Sequence, residues 1–272
     1  MRGKGIILGM ALSVLLAMQS FAATEIGLNL SWKYAENAKI NTGKAILYTS
    51  DSKNPKKITI AVNAGHGTKG GEKVRTLCHP DGTRKVTGGT NAAGITTALA
   101  VSSGMTFKDG TKEATVTLQM GHILAQKLLN AGYDVLLIRS EEDVQLDNVA
   151  RTVLANNKAD AHIALHWDST EKDKGAFFMS VPNSLKKMEP VASHWEGHEK
   201  LGESLISGLR GKGVKIFSKG RMDMDLTQTS YSTIPSVDIE LGDKISDHSE
   251  KQLNLLGDAL VDGVNKYYGF TS

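Results

Sequence analysis

Four side chains that can bind a metal ion or transfer a proton fall where predicted strands end or predicted helices begin. His66 lies between two glycines directly after a run of β-forming residues, and His166 closes a second such run. Glu113 stands in the first turn of a predicted helix, and Glu240 lies at the end of the last predicted strand. Two histidines and a glutamate with an open fourth position form a recognised catalytic zinc site, and a further carboxylate can serve it as general base.

These side chains can meet only if the elements that carry them form one sheet. From residue 58 onward, apolar runs of strand length alternate with amphipathic stretches of helix length, which predicts an α/β domain. We expect a single domain with a mixed, mostly parallel sheet that is covered by helices on both faces. The carboxyl ends of its strands share one edge, so the four side chains can line one crevice. The predicted strands are 58–62, 134–139, 160–166, 176–181, 214–218 and 235–241, and the predicted helices are 115–132, 146–159, 199–213 and 248–269.

Two segments fall outside this alternation. Residues 23–57 form a polar N-terminal extension with a short predicted strand near 45–50. Residues 69–112 form a Gly- and Thr-rich insertion with little periodicity, and loops of this length are usually functional or mobile. Because the insertion separates His66 from Glu113, we expect it to form a lid or a groove wall over the metal.

The first 22 residues predict export. Arg2 and Lys4 precede a short apolar run, and small residues at positions 20 and 22 suit cleavage before Ala23. The run is short for a membrane span, so a cleaved signal peptide is favoured over an uncleaved anchor. We therefore expect a periplasmic or extracellular protein with no stable membrane insertion after cleavage.

Charge and cysteine content narrow the class of partner. The formal net charge is +3, and two of the positive charges belong to the predicted signal peptide. This balance gives no basic footprint for nucleic acid, so no nucleic-acid partner is expected. Cys78 is the one cysteine of the chain and cannot form an internal disulfide, which leaves a free thiol or an intermolecular link.

Five short motifs stand in a fixed order along the chain. They are AGHG (64–67), GTKEATVTL (110–118), AGYDVLLIR (131–139), ARTVLANNKADAHIALH (150–166) and DIELG (238–242). In order and approximate spacing they resemble the zinc-dependent N-acetylmuramoyl-L-alanine amidases (amidase type 3), which cut peptidoglycan. Each motif alone is weak, but together they extend the resemblance over nearly all of the chain that follows the signal peptide.

The resemblance implies a role for each of the four residues. His66, Glu113 and His166 would bind one Zn²⁺ per chain, and Glu240 would be the catalytic carboxylate. Zinc lowers the pKa of a bound water molecule to about 7 and polarises a carbonyl oxygen, while the carboxylate accepts the proton of the water and returns it to the departing amine. The bond implied joins the lactyl group of muramic acid to L-alanine of the stem peptide.

The resemblance also implies the domain organisation and the partners. With the predicted signal peptide at 1–22 and the extension at 23–57, the resemblance implies a catalytic domain at 58–272 that includes the 69–112 insertion and has a phosphorylase/hydrolase-like α/β fold. The expected partner is peptidoglycan or a muropeptide, and the need for an activator protein stays open.

Several residues near the motifs differ from the family pattern or are candidates for substrate contact. Asn63 stands where many members have Asp, Asp168 where an Asn is frequent, and Asp243 where an aromatic residue is usual. The last two are expected to add acidic groups beside the mouth of the site. Trp167, Asp168 and Arg139 are the candidate substrate contacts, Trp167 by stacking on a sugar ring.

Alternatives remain for the site. Glu72 lies closer to His66 in sequence than Glu113 does and competes with it as a ligand. His194 and His198 are four residues apart and would share a helix face, although the expected structure there is a solvated helix start.

Two alternatives remain for the function. One is a zinc peptidase that cuts within the stem peptide, and the other is a non-catalytic wall-binding protein of the same fold.

Overall fold

The computed structural model describes residues 21–271, so the predicted signal peptide lies almost entirely outside the described residues. No helix within 21–271 is long and apolar enough to cross a membrane. The strands are β1 Ala22–Gly27, β2 Lys44–Thr49, β3 Thr59–Ala64, β4 Arg75–Leu77, β5 Thr97–Leu99, β6 Asp134–Leu137, β7 Ala161–Asp168, β8 Ala176–Ser180, β9 Ile216–Asp223 and β10 Ser236–Asp243. The α-helices are α1 Glu113–Asn130, α2 Asn148–Lys158, α3 Val191–Gly211, α4 Thr227–Tyr231 and α5 Glu250–Tyr268.

Eight of the strands form one mixed sheet in the order β1-β2-β6-β3-β7-β10-β8-β9. Its centre, β6-β3-β7-β10, is entirely parallel. Strands β2 and β8 flank this centre in antiparallel pairing, and β1 and β9 complete the two edges. The predicted single α/β domain with a mostly parallel, mixed sheet is therefore confirmed.

Helices cover both faces of the sheet. Alternate residues of a strand point to opposite faces, so Ile163 and Ile239 pack with residues of α1, α3 and α5, while Ala61 and Leu136 pack with residues of α2. The central strands are buried on both faces, which explains their nearly continuous apolar sequences. The parallel centre directs β3, β7 and β10 to the same edge of the sheet.

The N-terminal extension differs from its prediction. It contributes two strands to the main sheet, since β1 pairs with β2 and β2 pairs with β6. The side chains of β1 are mostly exposed at the sheet edge, so the sequence carries no apolar alternation that would reveal this strand.

Helix α3 begins at Val191 instead of the predicted residue 199, because the polar segment before residue 199 is part of the helix.

Candidate metal centre and active site

Three of the predicted residues converge at the carboxyl edge of the sheet. His66 Nε2 lies 2.9 Å from Glu113 Oε1. His166 Nδ1 lies 3.2 Å from the same oxygen and 3.0 Å from His66 Nε2. Their possible ligand atoms all lie within 4.8 Å of one another, and this is the one such group of three or more His, Cys, Asp or Glu residues found within 21–271.

The Gly-His-Gly segment has the backbone that this convergence requires. His66 has a φ of 66°, in the left-handed region, just after β3 ends. A Cβ atom at Gly65 would lie 2.2 Å from Cε1 of His166. The imidazole of His166 therefore lies against bare backbone, and only glycine at position 65 leaves room for it.

Arg139 is a structural residue, not the substrate contact that the sequence predicts. Its side chain is fully buried. The guanidinium donates hydrogen bonds to the carbonyl oxygens of Ala64, Gly65 and Ala114 at 2.8 to 3.0 Å. It thereby joins the end of β3 to the first turn of α1, the two elements that carry His66 and Glu113.

The support of His66 comes from a residue that sequence reasoning missed. Asn63 does not contact the imidazole; its Oδ1 accepts a hydrogen bond from Arg151, which also donates to the carbonyl oxygen of His66 at 2.6 Å. The imidazole Nδ1 instead lies 2.8 Å from the carbonyl oxygen of Ser102. This contact turns Nε2 toward Glu113. A backbone carbonyl in an aperiodic loop leaves no signal in the sequence.

The C-terminal part of the insertion lies directly against the candidate metal centre. The backbone N–H of Met105 donates to Glu113 Oε2 at 2.8 Å. A Cβ atom at Gly104 would lie 2.7 Å from the ring of His66 and 2.9 Å from Glu113 Oε2. These residues form a wall of the site, which is one of the two roles, lid or groove wall, expected for the insertion.

The rest of the insertion is attached to the fold by a buried polar cluster. His79 Nε2 lies 2.9 Å from Asp225 Oδ1, and the backbone N–H of Val86 donates to Asp225 Oδ2 at 2.6 Å. Lys85 donates to the backbone carbonyl of Asp225. Asp225 lies in the loop between β9 and α4. The insertion is therefore anchored at its middle as well as beside the candidate metal centre, which favours a fixed wall over a mobile lid.

The electrostatics of the three converging residues favour a cation between them. Burial raises the pKa of Glu113, but hydrogen bonds from His166 and His66 outweigh it and bring the pKa well below its ordinary value. Burial lowers the pKa of His166, whereas Asp238, Glu113 and Glu240 raise it to about 10. The surroundings of His166 are thus strongly negative and stabilise a positive charge at its ring.

Two carboxylates of β10 face this centre. Glu240 pairs in register with His166 of the neighbouring strand β7. Its Oε2 is buried without a hydrogen-bond partner among the described residues. Burial raises the pKa of Glu240 well above its ordinary value; Asp238 and Glu113 add to this rise, and His166 opposes it. Asp238, which the sequence analysis did not single out, lies 3.7 Å from His166 Nε2 through its Oδ2.

Of the three other residues predicted near the mouth of the site, only Asp168 is partly exposed. Trp167 is only 2% exposed, and its ring packs on Phe107 at a centroid distance of 6.0 Å, so it cannot stack on a sugar. Asp168 is partly exposed and pairs with Lys174 Nζ at 2.6 Å. Asp243 is fully buried and accepts a hydrogen bond from the backbone of Lys174. Asp243 therefore builds a turn and adds no acidic group to the mouth, contrary to the prediction.

The competing residues do not join the centre. Glu72 is exposed in a short 3₁₀-helix, outside the group of converging ligands. His198 is buried, and its Nδ1 accepts a hydrogen bond from the backbone of Ser236 at 3.0 Å. The expected solvated helix start is therefore wrong for His198, which binds α3 to β10.

A cavity of about 400 Å³ borders the same edge of the sheet. It is lined by residues 105–108 of the insertion and by Ser169, Glu171 and Lys244. Because Met105 contributes to both, the cavity adjoins the wall of the metal centre.

Comparison with known proteins gives related folds. A family model described as N-acetylmuramoyl-L-alanine amidase matches residues 60–259. The apo form of the N-acetylmuramyl-L-alanine amidase Ami1 from Mycobacterium abscessus has a TM-score of 0.61 and 18% identity, covering 79% of this chain and 100% of that chain. AmiC2 of Nostoc punctiforme has a TM-score of 0.57 and 18% identity, covering 79% and 99%. The CwlD amidase from Clostridioides difficile, in complex with the GerS lipoprotein, has a TM-score of 0.55 and 18% identity, covering 78% and 99%. Curated protein sequences give no match.

Proposed function

Because the chain belongs to the N-acetylmuramoyl-L-alanine amidase family, whose model matches residues 60–259, we propose that it hydrolyses the amide bond between N-acetylmuramic acid and L-alanine in peptidoglycan. The observation that carries this proposal is the convergence of His66, Glu113 and His166 beside Glu240. Two imidazole nitrogens and one carboxylate oxygen are the donors of a catalytic zinc site, so the residues present fit this metal.

One zinc ion held by these three residues would supply Lewis-acid polarisation of the amide carbonyl and acidification of a water molecule. The chain supplies the rest of the site. Glu113 is fixed by the backbone N–H groups of Met105 and Trp167, at 2.8 and 3.1 Å, so its position does not depend on the metal. Such backbone support orients a ligand before binding and lowers the entropic cost of binding.

Glu240 is the proposed general base and acid. Its Oε2 is unpartnered and buried, and burial raises its pKa, which suits a group that takes up and releases a proton during the reaction. In this role it accepts the proton of the attacking water and returns it to the departing amine of L-alanine. A charged hydrogen-bond partner would hold the carboxylate in one protonation state, and no such partner is found for Oε2 within 21–271.

Substrate contacts are proposed for the partly exposed side of the site. Asp168 is the last residue of β7 and its partner Lys174 lies in the loop before β8, at the edge where the substrate must enter. Trp167 and Arg139 are buried, so we propose no substrate contact for either of them. Export by the predicted signal peptide, residues 1–22, would bring the protein to the peptidoglycan, and an activator protein of unknown identity stays possible as a partner.

Digestion of purified sacculi tests the proposal. The zinc-loaded protein is expected to release free stem peptides with N-terminal alanine, detected by mass spectrometry, and a chelator is expected to stop the release. Glu240→Gln is the matched control, because it preserves the shape of the side chain and all three ligands; it should retain zinc and lose nearly all turnover.

The same digest separates the alternatives. Sugar fragments that still carry shortened peptides would indicate a zinc peptidase. Binding of sacculi without any release would indicate a non-catalytic wall-binding protein. Normal turnover by Glu240→Gln would leave the amidase in place and assign the general base to another residue.

A further inference from the structure

The two histidines of the metal centre differ in how their outer ring nitrogens are held. His66 turns Nε2 inward, and its outer Nδ1 contacts the carbonyl oxygen of Ser102 at 2.8 Å. His166 turns Nδ1 inward, toward Glu113 and His66. Its outer Nε2 faces the carboxylate of Asp238, with Oδ2 3.7 Å away. A neutral imidazole that binds a metal through Nδ1 carries its proton on Nε2, and this N–H needs an acceptor.

Asp238 lies where it can accept this N–H, and its own buried carboxylate requires a basic partner. In the register of β10 with β7, Asp238 lies opposite Ala164 and Glu240 opposite His166, so both carboxylates point to the same face of the sheet. The side chain of Asp238 is only 16% exposed. Within 21–271, His166 is the one basic side chain within 4.0 Å of this carboxylate. A largely buried carboxylate is costly unless it is paired, so the pairing with His166 is what compensates for its burial.

We propose that Asp238 is a positioning residue of the metal centre, which accepts the Nε2–H of His166 and thereby directs the lone pair of Nδ1 toward the metal. This inference rests on the proposed zinc site. Histidine ligands commonly donate their other N–H to a carboxylate, and loss of that partner typically costs about 10- to 100-fold in metal affinity. The two carboxylates of β10 then have separate roles, Asp238 in holding a ligand and Glu240 in proton transfer.

Zinc titration of the full chain, in competition with a chromophoric chelator, tests this role. Asp238→Ala is expected to weaken zinc binding by at least about tenfold. Asp238→Asn has nearly the same shape, and its amide oxygen still accepts the Nε2–H, so it should recover most of the lost affinity. Glu240→Gln is the matched control: it removes a carboxylate from the same face of the same strand, and its loss of zinc affinity should be clearly smaller than that of Asp238→Ala.

A second measurement reports on the hydrogen bond itself. In the zinc-loaded wild type, ¹⁵N NMR should show a proton on Nε2 of His166 that exchanges slowly with solvent. In Asp238→Ala this proton should exchange rapidly. Loss of packing at position 238 would not produce this change together with recovery in Asp238→Asn.

The outcomes separate the inference from the function on which it rests. If the wild type does not bind zinc, the proposed function fails. If the wild type binds zinc and Asp238→Ala binds it equally well, only the role of Asp238 is overturned. Equal losses in Asp238→Ala, Asp238→Asn and Glu240→Gln would also overturn it, because they would reflect the general loss of negative charge. Normal zinc affinity with low turnover in Asp238→Ala would assign Asp238 to the chemistry instead.

Discussion

At the scale of single residues, the site depends on close packing of its ligands against backbone. Glu113 accepts hydrogen bonds from the backbone N–H groups of Met105 and Trp167. The imidazole of His166 lies against Gly65, where a Cβ atom would approach it to 2.2 Å. Such contacts tolerate no additional atom, since protein interiors are close-packed and a ligand that is displaced by even one ångström no longer meets its partners.

Gly65→Ala should therefore impair metal binding. The added methyl group overlaps the His166 ring, whose displacement is expected to weaken zinc binding by at least about tenfold. Chelator competition measures the change. Gly88→Ala is the matched control, because a Cβ atom there would meet nothing within 4 Å. If both variants bind zinc as tightly as the wild type, the ring of His166 does not depend on glycine at position 65.

The sequence could identify the residues of the motifs but not their surroundings. His66, Glu113 and His166 converge as their places in the motif order predict. The predicted sugar contact of Trp167 is wrong, and strand geometry explains why. Trp167 follows His166 directly in a strand, so its side chain points to the opposite face of the sheet, into the core. By the same alternation, Asp238 shares the face of Glu240. Ser102 could not be predicted, because its closer contact with His66 Nδ1 is made by its backbone carbonyl, at 2.8 Å, and its hydroxyl lies farther away, at 3.2 Å.

At the scale of elements, the 69–112 insertion forms a structural part of the site. Its last residues support His66 and Glu113, while the cluster around Asp225 fixes its middle to the loop after β9. Deletion of the whole insertion would remove both functions together. A substitution in the cluster around Asp225 affects only the second function, because no hydrogen bond found for this cluster within 21–271 involves His66, Glu113 or His166.

Asp225→Ala should loosen the insertion and leave the ligands in position. The variant removes the carboxylate that pairs with the buried side chains of Lys85 and His79. This loss is expected to destabilise the fold by about 3–5 kcal/mol. Hydrogen exchange should increase over residues 78–88, while zinc affinity stays near that of the wild type.

Asp173→Ala is the control for this experiment. Asp173 also pairs with a lysine, Lys215, but both side chains are more than half exposed, so the loss should be below about 1 kcal/mol. Similar stability of the two variants would show that the buried cluster does not anchor the insertion.

The predictability of each element follows from its burial. Helices α1, α2 and α5 lie within two residues of their predicted bounds, because each has an apolar stripe facing the core. Strand β1 was missed because an exposed edge strand needs no apolar alternation. The short strands β4 and β5 pair only with each other, so their residues are not constrained by the main core.

At the scale of the whole molecule, the candidate metal centre and a second group of histidines lie at opposite edges of the sheet. The amino ends of β7 and β10, opposite the edge that carries the site, hold the buried His162 beside Ser236. His198 of α3 contacts the backbone of the same serine at 3.0 Å. In both histidines, Nε2 is buried without a hydrogen-bond partner among the described residues. These imidazoles therefore contribute to the folded state only while they are neutral.

Acid should consequently destabilise the fold through this pair. Burial, with smaller contributions from Arg151 and His198, lowers the pKa of His162 from 6.5 to about 3. Burial likewise lowers the pKa of His198 from 6.5 to about 3, and His194 contributes to this decrease. Below about pH 6.5 the unfolded chain binds protons that the folded chain excludes, so stability is complete above this pH and falls as the pH decreases. Each histidine should remove about 1.4 kcal/mol of unfolding free energy per pH unit.

Denaturant unfolding of the metal-free protein between about pH 7 and about pH 5 measures this loss. His198→Gln keeps an oxygen that can accept the Ser236 N–H but cannot titrate, so its stability should decline less steeply than that of the wild type, by about 1.4 kcal/mol per pH unit. His194→Gln, on the same helix but partly exposed, should retain the wild-type slope. If wild type and His198→Gln lose stability in parallel, the acid sensitivity arises elsewhere in the molecule.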